Sequence, residues 1–212
     1  MTSAPSWPGK FITFEGIDGS GKSTQVLRLA EHLRSQGQQV VETREPGGSR
    51  GAEEIRALVL QGEPDRWSPE TELLLFTAAR RDHLERVILP ALYEGKIVLC
   101  DRFADSTRLY QGQSRGNLRG KVDALHELMI GHEPDLTILI DMDPKVGLER
   151  ALARQTLDAR FEGMGERLQA DMRAGFLELA ATFADRFRVV DGGRAPDEVA
   201  LDIAGVVDAE LS

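Results

Sequence analysis

Residues 14–24 read Phe-Glu-Gly-Ile-Asp-Gly-Ser-Gly-Lys-Ser-Thr and follow the apolar run Phe11, Ile12, Thr13. The order is a short strand, a glycine-rich turn and the start of a helical pattern. Gly16, Gly19 and Gly21 free the backbone to turn consecutive N–H groups inward, making a concavity for anions. A helix opening near Lys22 adds its unpaired N–H groups and positive dipole end. The spacing of Gly16, four residues, then Gly21, Lys22 and Ser23 matches a phosphate-binding loop. It predicts that Gly16, Ile17, Asp18, Gly19, Ser20, Gly21, Lys22, Ser23 and Thr24 hold a nucleoside triphosphate. Lys22 would reach the outer phosphates, and the Ser23 hydroxyl would meet the accompanying Mg²⁺.

At 212 residues the chain fits one domain, 1–212, with a full core. A net charge of −9 argues against sequence-independent nucleic-acid binding. Cys100 is the only cysteine, so no intrachain disulfide is expected and a reducing cytoplasm suits the chain. No segment reads as a signal peptide or a membrane span, which again points to a cytoplasmic protein. His32, His83, His126 and His132 are too scattered to suggest a metal centre.

Away from the loop, β-rich runs at 10–15, 39–43, 96–101, 136–141 and 187–191 alternate with helical periodicity. Helices are predicted over 22–36, ending at Gly37, from Ser68-Pro69 to a stop at Pro90, and near 118–131, 144–156, 165–186 and 196–210. This alternation predicts a three-layer α/β/α fold of the phosphate-loop type, with five parallel strands covered on both faces. Ligands in such folds bind beyond the carboxyl ends of the strands. The loops 16–24, 43–48, 101–106 and 141–144 should therefore share a cleft.

IVLCDR, Ile97 to Arg102, is an apolar strand ending in a carboxylate. Beside a phosphate loop such a carboxylate commonly holds Mg²⁺, directly or through water, which gives Asp101 a role and puts Arg102 in reach of a phosphate. At this point the chain resembles thymidylate kinase over nearly its whole length. FEGIDGSGKST, TREPGG at Thr43 to Gly48, ELLLFTAAR at Glu72 to Arg80, DRFADSTRLYQGQSRG at Asp101 to Gly116, and PDLTILIDMDPKVGLERA at Pro134 to Ala151 occur in the family's order.

The resemblance implies transfer of the γ-phosphoryl group of ATP to dTMP, with magnesium, by a cytoplasmic homodimer. It assigns Lys22 and the loop backbone to ATP, Ser23 and Asp101 to magnesium, and Arg102 to the phosphates being bridged. Asp18 would lie near the sugar 3′-hydroxyl and Phe76 against thymine. Arg80 would reach a thymine carbonyl, Ser106 and Thr107 would line the base, and Tyr110, supported by Gln111, would crowd the 2′ position. Spacing agrees in part, because Phe76 and Arg80 are four apart and share a helix face. TREPGG implies a cis peptide before Pro46 with Glu45 turned to substrate or magnesium, and Arg44 and Arg56 near the acceptor phosphate. Asp191 to Pro196 resembles the loop around adenine. The segment about 150–165 resembles the family's mobile lid. Because Gly19 stands where some members carry a basic residue, catalytic arginines are expected in the lid, at Arg154 and Arg160. Asp158-Ala159-Arg160-Phe161-Glu162 departs by one residue from the family's lid pattern, which leaves open which arginine closes on ATP. Alternatives at this stage are another deoxynucleotide or deoxynucleoside kinase on the same fold, and a GTPase-type switch. The latter lacks any Asn-Lys-x-Asp guanine signature.

Overall fold

The computed structural model describes residues 7–63, 65–114, 116–153 and 165–211. Five strands form one parallel sheet in the order β2-β3-β1-β4-β5: β1 Lys10–Glu15, β2 Val40–Arg44, β3 Ile97–Asp101, β4 Leu136–Asp141 and β5 Phe187–Asp191. The expected strands are all present, within a residue of their predicted bounds.

Alternate residues of each strand point to opposite faces, so a sheet covered twice needs apolar residues throughout. Ile12, Phe14, Leu99 and Ile138 pack with Val26, Leu29 and Leu33 of α1 (Lys22–Ser35) on one face. Ile203 and Val207 of α9 (Pro196–Leu211) complete that layer. Phe11, Val98 and Cys100 face the other way, onto Leu84, Ile88 and Phe103. The buried Thr13 survives in the centre because its hydroxyl pairs with that of Thr137 at 2.9 Å. Each large side chain buried here contributes about 1.5–3 kcal/mol by leaving water.

α1 stops as predicted. Gly37, at φ 85°, donates its N–H to Arg34 O at 3.0 Å, and Gln38 N–H reaches Leu33 O. Helix α3 (Pro69–His83) begins at the predicted cap, where Ser68 Oγ accepts the Thr71 N–H at 3.2 Å. Pro90 does not stop this run. One turn of π-helix, Leu84–Ile88, leads straight into α4 (Leu89–Tyr93), which has Pro90 in its first turn. The Leu89 N–H reaches back to Leu84 O, so the register changes just where the proline lacks a donor.

Two helices lay outside the sequence expectation: α2 (Arg50–Leu60) and α5 (Ala104–Tyr110). α6 (Arg119–Leu125) runs into a second π turn, His126–Ile130. α7 (Pro144–Ala153) and α8 (Gly165–Thr182) flank the predicted lid. Among the described residues no helix is long and apolar enough to cross a membrane.

Candidate active site

The β1–β3 register pairs Phe14 with Asp101, so the ends of these strands lie side by side. The loop after β1 and the loop after β3 therefore meet. Arg102 N–H continues the ladder to Phe14 O at 2.9 Å, and Glu45 N–H reaches Asp101 O at 2.9 Å. A cavity of about 270 Å³ opens where these loops converge.

At one end is the glycine-rich loop. Gly21 precedes α1 at φ 99°. Gly19, at φ 75°, is pressed onto α7: a Cβ there would lie 2.0 Å from the Gly147 carbonyl oxygen. No side chain fits at 19 with the loop and α7 so close. Lys22 is buried and donates to Gly16 O at 3.0 Å, Ile17 O at 2.8 Å and Ser20 Oγ at 3.4 Å. Burial and the neighbouring Arg102 bring its ammonium down to about 8, against the pull of Asp101, Asp18 and Glu15. Ser23 Oγ donates to Asp101 Oδ2 at 2.5 Å. Thr24 is exposed on the first turn of α1.

In the middle, Asp18 receives Arg102 Nη2 at 2.5 Å, Tyr110 Oη at 3.3 Å and Gln169 Nε2 at 3.3 Å. Burial pushes its carboxyl upward, but Arg102 and Lys22 outweigh that and hold it below the ordinary carboxylate range. Arg102 is the non-glycine residue with positive φ, 70°, among those described. Its guanidinium also reaches Gly16 O at 3.2 Å and Ser106 Oγ at 2.8 Å and stands 5.3 Å from the centre of the Tyr110 ring.

The far end is lined by Arg44, Glu45, Pro46, Arg56, Phe76, Arg80, Phe103, Ser106, Thr107, Tyr110 and Gln111. Arg80 is buried, with Nε on Glu45 Oε2 at 2.7 Å and Nη2 on Phe103 O at 3.1 Å and Thr107 Oγ1 at 2.9 Å. The Glu45–Pro46 bond is cis. Glu45 is turned inward: its other oxygen meets His83 Nδ1 at 3.0 Å, so the carboxylate is committed to Arg80 and His83. Gln111 Nε2 donates to Glu72 Oε1 at 3.1 Å, fixing the wall beside Tyr110. Arg56 Nη1 donates to Pro46 O at 2.7 Å.

The predicted residues Asp18, Gly19, Lys22, Ser23, Glu45, Arg56, Phe76, Arg80, Asp101, Arg102, Ser106, Thr107, Tyr110 and Gln111 all line this one cavity. Gly16, Ile17, Ser20 and Gly21 shape the loop around Lys22 and do not line it. Arg154 and Arg160 lie outside the described residues. Sequence reasoning missed Phe103, which lines the cavity, and Glu15, His83 and Gln169, which reach its lining residues through hydrogen bonds from distant parts of the chain. The Asp191–Pro196 loop is placed beside α1 by Gln25 Nε2 on Pro196 O at 2.9 Å.

The sequence matches the profile of the family described as thymidylate kinase over residues 14–203. The chain belongs to the thymidylate kinase family. It is 66% identical over 207 residues to the thymidylate kinase of Ruegeria pomeroyi, covering 98% of each chain. It is 52% identical over 204 residues to that of Caulobacter vibrioides, covering 96% of this chain and 98% of the relative. A crystal structure of thymidylate kinase from Ehrlichia chaffeensis superposes with a TM-score of 0.77 at 35% identity, covering 94% of this chain and 98% of that one.

Proposed function

We propose that this chain carries out its reaction, the ATP-dependent phosphorylation of dTMP to dTDP, across the cavity described above. The observation that carries the assignment is the continuity of that cavity. It joins Asp18, Gly19, Lys22 and Ser23 at one end to Phe76, Arg80, Ser106, Thr107 and Tyr110 at the other. Phosphoryl transfer asks mainly for in-line placement and for positive charge on the moving group. The loop N–H groups and Lys22 grip the ATP phosphates. Arg102, between the two ends, faces the phosphates being bridged. Phe76 stacks on thymine, Arg80 and Thr107 address its polar edge, and Tyr110 packs on the sugar where a 2′-hydroxyl would sit.

Ser23 Oγ and Asp101 Oδ2, 2.5 Å apart at the mouth of the loop, are hard oxygen donors of the kind Mg²⁺ selects. Magnesium takes most of its other ligands from phosphates and water, so this pair fits it. When bound, the ion neutralises charge on the phosphate oxygens. Arg154 and Arg160 supply further positive charge from the segment 150–165 in this reading, and the chain 1–212 acts as one cytoplasmic domain.

A homodimer is part of the proposal. Leu74 on α3 and Leu128 and Met129 on the second π turn are 56%, 79% and 41% exposed, and Arg81 ties the two segments through Met129 O at 2.7 Å. Leu74→Glu should convert a dimer to a monomer in sedimentation. For the reaction, the test is turnover with ATP and Mg²⁺ on dTMP, dCMP, dUMP and thymidine in parallel. Clear preference for dTMP is expected, and equal or better turnover of another acceptor overturns the assignment.

A further inference from the structure

Glu15, the last residue of β1, is completely buried and does not line the cavity. Its carboxylate nevertheless holds two residues that do, Phe103 and Ser106. Oε1 accepts the N–H groups of Phe103 at 2.8 Å and Ser106 at 3.2 Å. Oε2 accepts the Ser106 hydroxyl at 2.6 Å. The N–H groups of Phe103 and Ser106 belong to the opening of α5, which has no cap from its own Phe103 side chain. A neighbouring strand thus caps the short helix that carries Ser106, Thr107 and Tyr110. Asp105 on the same helix is gripped from behind by Arg186 Nη1 at 2.7 Å and Arg108 Nη1 at 2.8 Å, so α5 is held from both sides.

A serine hydroxyl has one proton and two lone pairs. With its proton directed to Glu15, Ser106 Oγ turns a lone pair to Arg102 Nη1, 2.8 Å away. Arg102 itself sits at φ 70°, a left-handed backbone state that a residue with a Cβ seldom adopts and that persists only where surroundings enforce it. The chain Glu15, Ser106, Arg102, Asp18 therefore links a buried carboxylate to the guanidinium that faces the phosphates.

We propose that Glu15 is a positioning residue for phosphoryl transfer, orienting the Arg102 guanidinium through the Ser106 hydroxyl. The inference rests on Arg102 facing the phosphates. Glu15 gives direction to a group that touches substrate without touching substrate itself.

The test is Glu15→Gln. The amide oxygen keeps an acceptor for the Phe103 and Ser106 N–H groups, while the amide nitrogen must donate to Ser106 Oγ and so reverses that bond. Expected is a loss in kcat of about tenfold or more with KM for ATP held within about twofold. Because Glu15 acts through Ser106, the double variant Glu15→Gln, Ser106→Ala should be no slower than Ser106→Ala alone, within about twofold. Losses that multiply, or an E15Q kcat near that of the unaltered enzyme, overturn the proposal. Arg102→Ala serves as the reference. If it retains full kcat, the placement of Arg102 on the phosphates is what fails. If it is impaired while E15Q is not, only the role of Glu15 fails.

Should circular dichroism show E15Q unfolded, the unaltered enzyme decides. Burial and then Asp105 push the Glu15 carboxyl up to about 7, against Arg102, the Ser106 hydroxyl and the Phe103 N–H. Cys100 on β3 and Lys22 on α1 are further titratable groups that feel its charge. The kcat profile should then bend near neutrality in the unaltered enzyme and lose that bend in Ser106→Ala. A profile with the same shape in both overturns the proposal.

Discussion

Gln169 and Asp18, 151 residues apart, exchange a pair of hydrogen bonds: Asp18 N–H donates to Gln169 Oε1 and Gln169 Nε2 donates to Asp18 Oδ2, each at 3.3 Å. Gln169 is buried in the second turn of α8, directly after the predicted lid, and Asp18 sits inside the phosphate loop. Asp18 in turn receives Arg102 and Tyr110, so α8, the loop, Arg102 and Tyr110 share one carboxylate.

Removing this link should disturb the acceptor side more than the fold. Gln169→Ala leaves a charged group short of one donor, worth about 1.5–3 kcal/mol, and the long bonds place it at the lower end. About a tenfold fall in kcat/KM for dTMP is expected in steady-state kinetics. An unchanged kcat/KM would show the contact to be incidental.

The buried pair Arg80–Glu45, with His83 on the second carboxylate oxygen, is a stability element as well as part of the pocket. Glu45→Ala strands the guanidinium and should cost about 3–5 kcal/mol in denaturant unfolding. Burial raises the Glu45 carboxyl, but Arg80 and His83 more than reverse this and hold it below its ordinary 4.5. The folded form thus binds the proton more weakly than the unfolded form. Its contribution is complete above pH 4.5 and is lost as pH falls through the depressed value. E45A should therefore show a flatter acid limb in its stability profile than the unaltered chain.

Tyr110 is buried, and its hydroxyl is held by Asp18 at 3.3 Å. Tyr110→Ala opens the cavity wall where the proposed function seats the sugar. Discrimination against the ribose form of the acceptor should drop by about 10- to 100-fold in kcat/KM, the worth of one well-packed contact. Tyr110→Phe keeps the ring and should retain most of the discrimination. Equal discrimination in the Ala variant would remove Tyr110 from this role.

Asp101→Asn keeps the shape beside Ser23 but removes the charge. The Mg²⁺ concentration giving half-maximal activity should rise by about 10- to 100-fold while the thermal midpoint without nucleotide stays close to that of the unaltered chain. A magnesium dependence that does not move would rule out Asp101 as a ligand.

The site was legible where chemistry and local structure coincide. The phosphate loop needs its glycines, lysine and serine at set spacing because backbone N–H groups a few residues apart do the binding, and IVLCDR carries its strand and its carboxylate together. Helix α5 was not legible. Ala-Asp-Ser-Thr-Arg-Leu-Tyr is only seven residues long with three weak helix formers, Asp, Ser and Thr, in succession, and its opening is capped by Glu15 from another element. Helix α2 carries a short apolar stripe, Ala52, Ile55 and Val59 with Leu60 beside it, so its signal was present in the sequence and was overlooked among the charged residues between. Pro90 reads as a stop by local rules, yet the π turn before it shifts the carbonyl ladder and lets the helical run continue.

By itself the chain of residues determined the parallel α/β architecture, the phosphate-loop motif and the family, because periodicity and motif spacing are local quantities. Tertiary structure alone decided that Glu15 stands behind Ser106, that Glu45 turns to Arg80 and His83, and that Gln169 reaches Asp18. Each of those contacts joins residues 35 to 151 positions apart, so only closure of the sheet and its helices brings the partners within hydrogen-bonding distance.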